Sequence, residues 1–531
     1  MALLAGLCLM PVVSASAQVP AKTLVRAIGG APDTLDPQRA DLTLEITVIS
    51  DLLEGLLAPD GKGGARPALA ESWTVSPDER TYTFRLRPDA QWSDGSLVTA
   101  DDFVFSWRRL ADPKTAGPFA FFTWTVVNGE AIAKGAIQDV SRLGVSALDA
   151  HTFQVELVRP TAYFLSMLQH PALAAVQKAS VLAWGDAFTQ PGHYVASGAY
   201  VLAENAPGDH LTLVRNPHYY DRAKVRVDRV TDLPMEDRAA ETRLFQAGRL
   251  SVTYDLPIPQ VAWARDTLKG AYVAGPLFDT YFLAFNLRNE PWKSSPQLRE
   301  ALTLAIDRDR LAALLGEEQP AYSFVPPLAP GTGVAAYEPG WPAWRGLAQV
   351  QRVARARVLL AEAGFGPGGH SLPAVDLLYA AGGNSAPVMV AVAAMWREAL
   401  GLEVRLEARE FRTVTAQARD KTFKDLVFTS WLGDYPDANS FLALLRADAG
   451  PENNSGYRNP LFDALMEEAN GESDATRRAD LMRRAERLML DDTPIIPLFH
   501  KGVHRLVSPR IAGWTPNMLD LIPSRFLDLA P

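Results

Sequence analysis

An acid set between two aromatic residues is the most chemically suggestive arrangement in this 531-residue chain. In residues 431–441, WLGDYPDANSF, Asp434 follows Trp431 and precedes Tyr435, just after the apolar, strand-like run 426–428. A carboxylate flanked by Trp and Tyr in an apolar setting can clamp a cation, because it offers a charge partner while the rings exclude water. The same spacing also suits an acidic turn with core aromatics, and spacing alone leaves both readings open.

Elsewhere the sequence is poor in catalytic patterns. It has no G-x-S-x-G elbow, H-E-x-x-H helix, phosphate-binding P-loop or dinucleotide fingerprint. His500 and His504, the only close pair among eight histidines, follow the strand-like run PIIPLF, where four-residue spacing builds no helical metal face. Both are expected to be satisfied or exposed side chains. The acid pairs Asp101/Asp102 and Glu467/Glu468 fall on helix starts or polar faces and read as solvated charge. A hydrolase using paired carboxylates would have only Asp434 and Asp437 close together. The expectation is therefore a binding protein and not an enzyme, with no cofactor and no metal.

Composition agrees. With 48% hydrophobic and 21% charged residues, the chain is long enough for two or three domains and is neither disordered nor coiled coil. A net charge of -9 gives it no electrostatic reason to seek nucleic acid or anionic membrane. Residues 1–17 form a short apolar stretch ending in Ala15-Ser16-Ala17, a small-residue cleavage pattern, and read as a secretory signal. The single cysteine, Cys8, would leave with it, and the large Leu7 before it argues against a lipid anchor. An exported, cysteine-free protein fits a Gram-negative periplasm.

The elements that must position the acid are mixed α/β. Tyr82, Phe84 and Leu86 alternate with polar residues, as do Phe153, Val155 and Leu157, predicting two half-buried antiparallel strands. Thr99 followed by Asp101 and Asp102 predicts a helix start, with Phe103, Phe105 and Trp107 in the helix. Val353, Ala356, Leu360 and Ala363 share a helical face ending at Gly364, and Val388, Val392, Met395 and Ala399 share another ending at Gly401. Leu402, Val404 and Leu406 then alternate, giving a helix, turn and strand of α/β type. The Pro- and Gly-rich stretch 321–342, with interleaved aromatics, reads as a surface connection.

Nine segments in order carry a resemblance. They are TLDP (34–37), DLLEGLL (51–57), LAESW (69–73), WSDGSLVTADDFVFSWRRL (92–110), SGAYVL (197–202), RNPHYYD (215–221), FNLRNEPW (285–292), LREALTLAIDR (298–308) and the WLGDY run (431–435). The chain resembles the extracytoplasmic oligopeptide-binding proteins of ABC importers, large solute-binding protein family 5. The resemblance implies an α/β, two-lobed periplasmic-binding-protein fold of class II, large cluster C type, with an additional small domain in lobe one. Lobe one would hold residues 18–63, 185–280 and 500–531, the additional domain 64–184, and lobe two 281–499. It also implies a monomer that encloses a peptide by hinge closure and delivers it to permease subunits in the inner membrane.

By the same resemblance, Asp434 matches the aspartate that binds the peptide α-ammonium, with Trp431, Gly433 and Tyr435 as surrounding wall. Glu45, in a loop at 43–48, would face the cleft from lobe one, and Tyr281 and Phe499 would lie near the hinge. Two positions depart from the pattern. Phe428 stands where the best-known members place an arginine for the peptide carboxylate, and Ser385 where they place a histidine. Lys501, Arg288 and Arg412 are the alternative bases, and modified, cyclic or cell-wall peptides become as suitable as simple tripeptides. Binders of nickel complexes, haem or sugars share the fold and would lack the pocket acid.

Overall fold

The computed structural model describes residues 21–316, 318–328, 336–366, 369–370, 373–382 and 385–530. The signal reading of residues 1–17, with Cys8, lies outside them. No helix among the described residues is long and apolar enough to cross a membrane.

The first lobe carries two four-stranded sheets. In one, strands Ala70–Val75, Thr81–Leu86, Thr152–Glu156 and Val145–Asp149 are antiparallel in that order. The alternation of Phe84 and Phe153 puts both on one face as a cross-strand pair, and Phe103 and Trp107 of helix Ala100–Ala111 cover Phe153 at 5.5 and 5.4 Å. Such aromatic pairs add about 0.5–1.5 kcal/mol each beyond the area they bury. The helix begins as its sequence suggests, with the Asp102 carboxylate accepting the Thr99 backbone N–H at 2.9 Å. The other sheet pairs Thr23–Ala27 in parallel with Arg229–Leu233, followed by His210–Arg215 and Tyr200–Ala206.

The second lobe is built on six strands in the order Gln319–Pro320, Ile495–Leu506, Tyr272–Phe285, Leu426–Leu432, Val375–Ala380 and Val404–Arg409. Val375–Ala380 and Val404–Arg409 are parallel and joined by helix Ser385–Leu400, whose end is marked by Gly401 at φ 68°. A left-handed backbone there is open to glycine at little cost. The sheet is apolar on both faces. Phe285, Leu377, Trp396 and Phe428 belong to one core, and Phe282, Val427, Phe441 and Met489 to the other.

Strands Tyr272–Phe285 and Ile495–Leu506 are antiparallel partners long enough to run out of this sheet toward the first lobe, where Leu506 accepts from Thr253 N–H and its own N–H meets Thr253 Oγ1. Their register slips between Pro276 and Thr280, and again between Tyr281 and Phe282. Segment 321–342, expected at the surface, is instead mostly buried where it is described, because one acid satisfies its backbone. Glu486 accepts N–H bonds from Phe324, Val325 and Gly340 and the Tyr337 hydroxyl, all at 2.8–3.0 Å. Aromatics interleaved with turn residues here mark core packing and not exposure.

Candidate ligand-binding site

Strand Leu426–Leu432 alternates its side chains across the sheet, so Trp431 falls on one face and Phe428 on the other. Its pairing with Tyr272–Phe285 ends at Asp279↔Leu432, after which Gly433 N–H donates to the Phe278 carbonyl at 2.7 Å. A Cβ on Gly433 would sit 2.2 Å from the Phe278 ring, so the last contact of the strand is open to glycine alone. The wall residue expected here is a packing requirement.

Asp434 is the first residue beyond that contact. Its N–H donates to Ser440 Oγ at 3.0 Å, which turns the chain away from the sheet. Its carboxyl group is half-buried and takes no hydrogen bond or ion pair from the described residues. Burial, with a smaller push from Glu452, raises it to about 8. A carboxyl in that condition stays largely protonated near neutral pH and ionises when a cation arrives. Asp437, its neighbour in sequence, is not a second catalytic acid facing it. The Arg478 guanidinium grips Asp437 at both oxygens, 2.7 and 2.9 Å away.

The remaining expected residues divide. Trp431 lines a small cavity together with Phe282, Phe324, Glu452 and Ser455, and its indole N–H is buried without an acceptor among the described residues. Glu452, which the sequence did not single out, is held by Arg419, with Nε at 3.2 Å. Tyr435 is buried against the first lobe. Its ring stacks on Tyr163 of the first lobe, centroids 5.2 Å apart at 7°, and meets the edge of Phe122 at 6.2 Å. Arg478 lies over Tyr163 at 5.4 Å, and the ion pairs Arg159–Glu467 and Arg412–Asp33 join the lobes nearby. Nothing in the local sequence around Tyr163 or Arg478 signalled this junction.

Tyr281, Phe428 and Phe499 form a separate aromatic cluster on the opposite face of the strand. Tyr281 stacks on Phe499 at 4.8 Å and leans on Phe428 at 5.6 Å. Phe428 thus occupies its position as core, with no charge to offer a carboxylate. Ser385 opens helix Ser385–Leu400, past the C-terminal end of a strand parallel to Leu426–Leu432, and its N–H meets Gly382 O at 3.3 Å. It shares the sheet edge with Asp434, and no hydrogen bond joins the two.

Glu45 departs from expectation most. It lies in helix Thr43–Leu52 and not in a loop, and it is fully buried. Its carboxylate accepts four backbone N–H groups, from Asp33, Thr34, Asp41 and Leu42 at 2.8–3.2 Å. It holds segment 33–42 in place and has no free oxygen for the cleft. Among the alternative bases, Arg412 is engaged by Asp33 and Lys501 by Asp255 at 3.1 Å. Arg288 is exposed and follows Phe285, which pairs with Leu426 at the other end of the strand from Asp434. His500 is satisfied at Nδ1 by the Thr280 hydroxyl at 2.8 Å, with burial pushing it down to about 3, and His504 Nδ1 meets the Tyr272 hydroxyl at 2.7 Å. No cluster suited to a metal ion occurs among the described residues.

Two lobes joined by paired crossing strands, with a carboxyl lacking a protein partner at the edge of the larger sheet, define a solute-binding protein that closes on its ligand. The chain belongs to the bacterial extracellular solute-binding proteins, family 5, whose middle-region model matches residues 64–453. It is 36% identical over 499 residues to the periplasmic oligopeptide-binding protein OppA of Salmonella typhimurium, covering 93% of this chain and 90% of that protein. The murein tripeptide-binding protein MppA of Escherichia coli superposes with a TM-score of 0.87 at 35% identity, covering 96% of this chain and 99% of MppA. Against the unliganded open form of MppA, with 98% of that chain covered, the score is 0.77. OppA of Haemophilus influenzae in complex with RPPGFSPFR gives 0.85 at 32% identity, with 97% and 100% covered.

Proposed function

We propose that this chain is a periplasmic protein that captures peptides by closing its lobes and presents them to the permease of an ABC importer. The observation that carries the reading is Asp434: a half-buried carboxyl, raised by burial, without a protein partner, at the edge of the larger sheet. An α-ammonium is the cation every free peptide brings, and its backbone N–H and C=O groups can be met in strand fashion whatever the side chains. The protein acts as an exported monomer, with residues 1–17 as its signal, and binds without turnover. Lobe one comprises 18–63, 185–280 and 500–531, the additional domain 64–184, and lobe two 281–499. The register slips around the Tyr281↔Phe499 pair support a hinge at that boundary. With Phe428 in the core, the ligand carboxylate has no cation at that position, which favours modified or cell-wall peptides over simple ones.

Native mass spectrometry of protein purified without refolding should reveal a peptide-like cargo. Calorimetric titration should then show that N-acetylation of a peptide removes most of its affinity. A retained haem, nickel complex or sugar, equal binding of free and acetylated peptides, or hydrolysis products above a buffer control would overturn the reading.

A further inference from the structure

The slip in register between the two crossing strands gathers charge. Pro276 pairs with Gly502 and Thr280 with His500, so residues 277–279 stand opposite Lys501 alone. A bulge of this kind re-aims side chains. Lys501 reaches Asp255 at 3.1 Å, and Glu318 accepts the Gly502 N–H at 2.5 Å. Asp279 is 7% exposed and its Oδ1 is buried without any partner. Asp255 takes the Lys501 ammonium directly, while Asp279 and Glu318 feel the same charge without an ion pair to it.

We propose that Asp255, Asp279 and Glu318, gathered around Lys501, form a second cation pocket that selects peptides carrying a basic side chain close to the N-terminal ammonium. The proposal rests on the reading of Asp434 as the ammonium anchor. Asp279 and Asp434 flank one backbone contact, the Gly433 N–H to Phe278 O bond, so the two acids lie at the same end of the strand pair. Tyr281 follows Asp279 by two residues on the same strand face and carries the aromatic stack with Phe499, which gives the stem of a long basic side chain an apolar wall.

The charge balance favours an incoming cation. Burial raises Asp279 to about 6 and Glu318 to about 7, and Lys501 pulls both the other way. The groups facing them are Asp255, Tyr254, Tyr281 and His504, none of which brings a fixed positive charge. A bound ammonium or guanidinium supplies what Lys501 alone does not, and lets the acids ionise. No cluster suited to a metal ion occurs among the described residues, and the proposed occupant is an organic cation.

The test uses free-N-terminus alanine peptides with lysine or norleucine at position one, two or three, titrated calorimetrically into the mature protein, Asp279→Asn and Glu318→Gln. Norleucine keeps the stem and removes the charge. At one position lysine should bind at least about tenfold tighter than norleucine. In Asp279→Asn that ratio should fall below about threefold, with Glu318→Gln as the second reading should the first variant fail to fold. Ratios near one at all three positions, or a ratio unchanged in the folded variants, would overturn the pocket while leaving the peptide reading standing. Failure of every peptide to bind the unsubstituted protein would sink that reading and the pocket with it.

Discussion

Replacing Asp434 by asparagine should abolish most of the affinity for peptides with a free N-terminus. The carboxyl is half-buried and takes no hydrogen bond or ion pair from the described residues, so a bound ammonium would find its counter-charge here. Removing one partner of a buried ion pair costs on the order of 3–5 kcal/mol, which weakens binding about a hundredfold to several thousandfold. Acidity gives the experiment its second axis. The empty protein holds this carboxyl at about 8, and a free peptide ammonium also titrates near about 8. Below that pH the two partners carry two protons and the ion pair carries one, so binding releases a proton and tightens as pH rises. Above it the ammonium deprotonates and binding weakens. From pH 6 to pH 8 affinity should improve about 25-fold, and the asparagine variant should lack this rising limb. In the empty protein, a carboxyl raised by folding makes stability fall as pH rises from about 4 to about 8 and level off above, so the original protein should lose more thermal stability between pH 5 and pH 8 than the variant. Titration of free and N-acetylated peptides into both proteins at several pH values completes the cycle. Asparagine-variant affinity within about threefold of the original, or a flat profile in the original, would refute Asp434 as the anchor.

Three further outcomes are expected. Tyr163→Ala should weaken binding about two- to twelvefold without touching ligand, because the lost stack with Tyr435, worth about 0.5–1.5 kcal/mol, favours only the shut form; calorimetry together with small-angle scattering reads both parts. Gly433→Ala forces a methyl group against the Phe278 ring and should cost about 1–3 kcal/mol in denaturant unfolding, with weaker peptide binding alongside. Glu45→Ala strips four backbone N–H groups of their acceptor and should cost about 1–3 kcal/mol or more, with faster hydrogen exchange confined first to residues 33–42.

Local signals in the sequence proved dependable where a few neighbouring residues decide the outcome. The Thr99 start, the Phe84/Phe153 alternation and the helix ended by Gly401 are of this kind. The strand before Asp434 was legible too, since the apolar run 426–428 does open strand Leu426–Leu432. Choices made between distant segments were not legible. Asp437 turns to Arg478, forty-one residues later, and not to Asp434. Tyr435 spends its ring on Tyr163, and Glu486 neutralises a turn-rich segment that would otherwise belong at the surface. Strand alternation also separates Trp431 from Phe428, which the resemblance had placed at one site. The three acids around Lys501 come from three separate stretches and meet it where two strands slip in register.

In the hinge proposed above that slip would be the fulcrum, and a fulcrum and a lever tip experience the same rotation very differently. Groups beside the paired Thr280 and His500 would then stay together as the lobes swing, whereas the interlobe ion pair of Arg159 and Glu467 would part. A pair of dyes at the tips would therefore magnify a small hinge rotation into a large change in distance, while the charge cluster at the fulcrum keeps its composition throughout. An arriving cation can feel that cluster before the jaws move, so the first encounter and the final enclosure are separable events, with ionic strength acting on the one and tip contacts on the other.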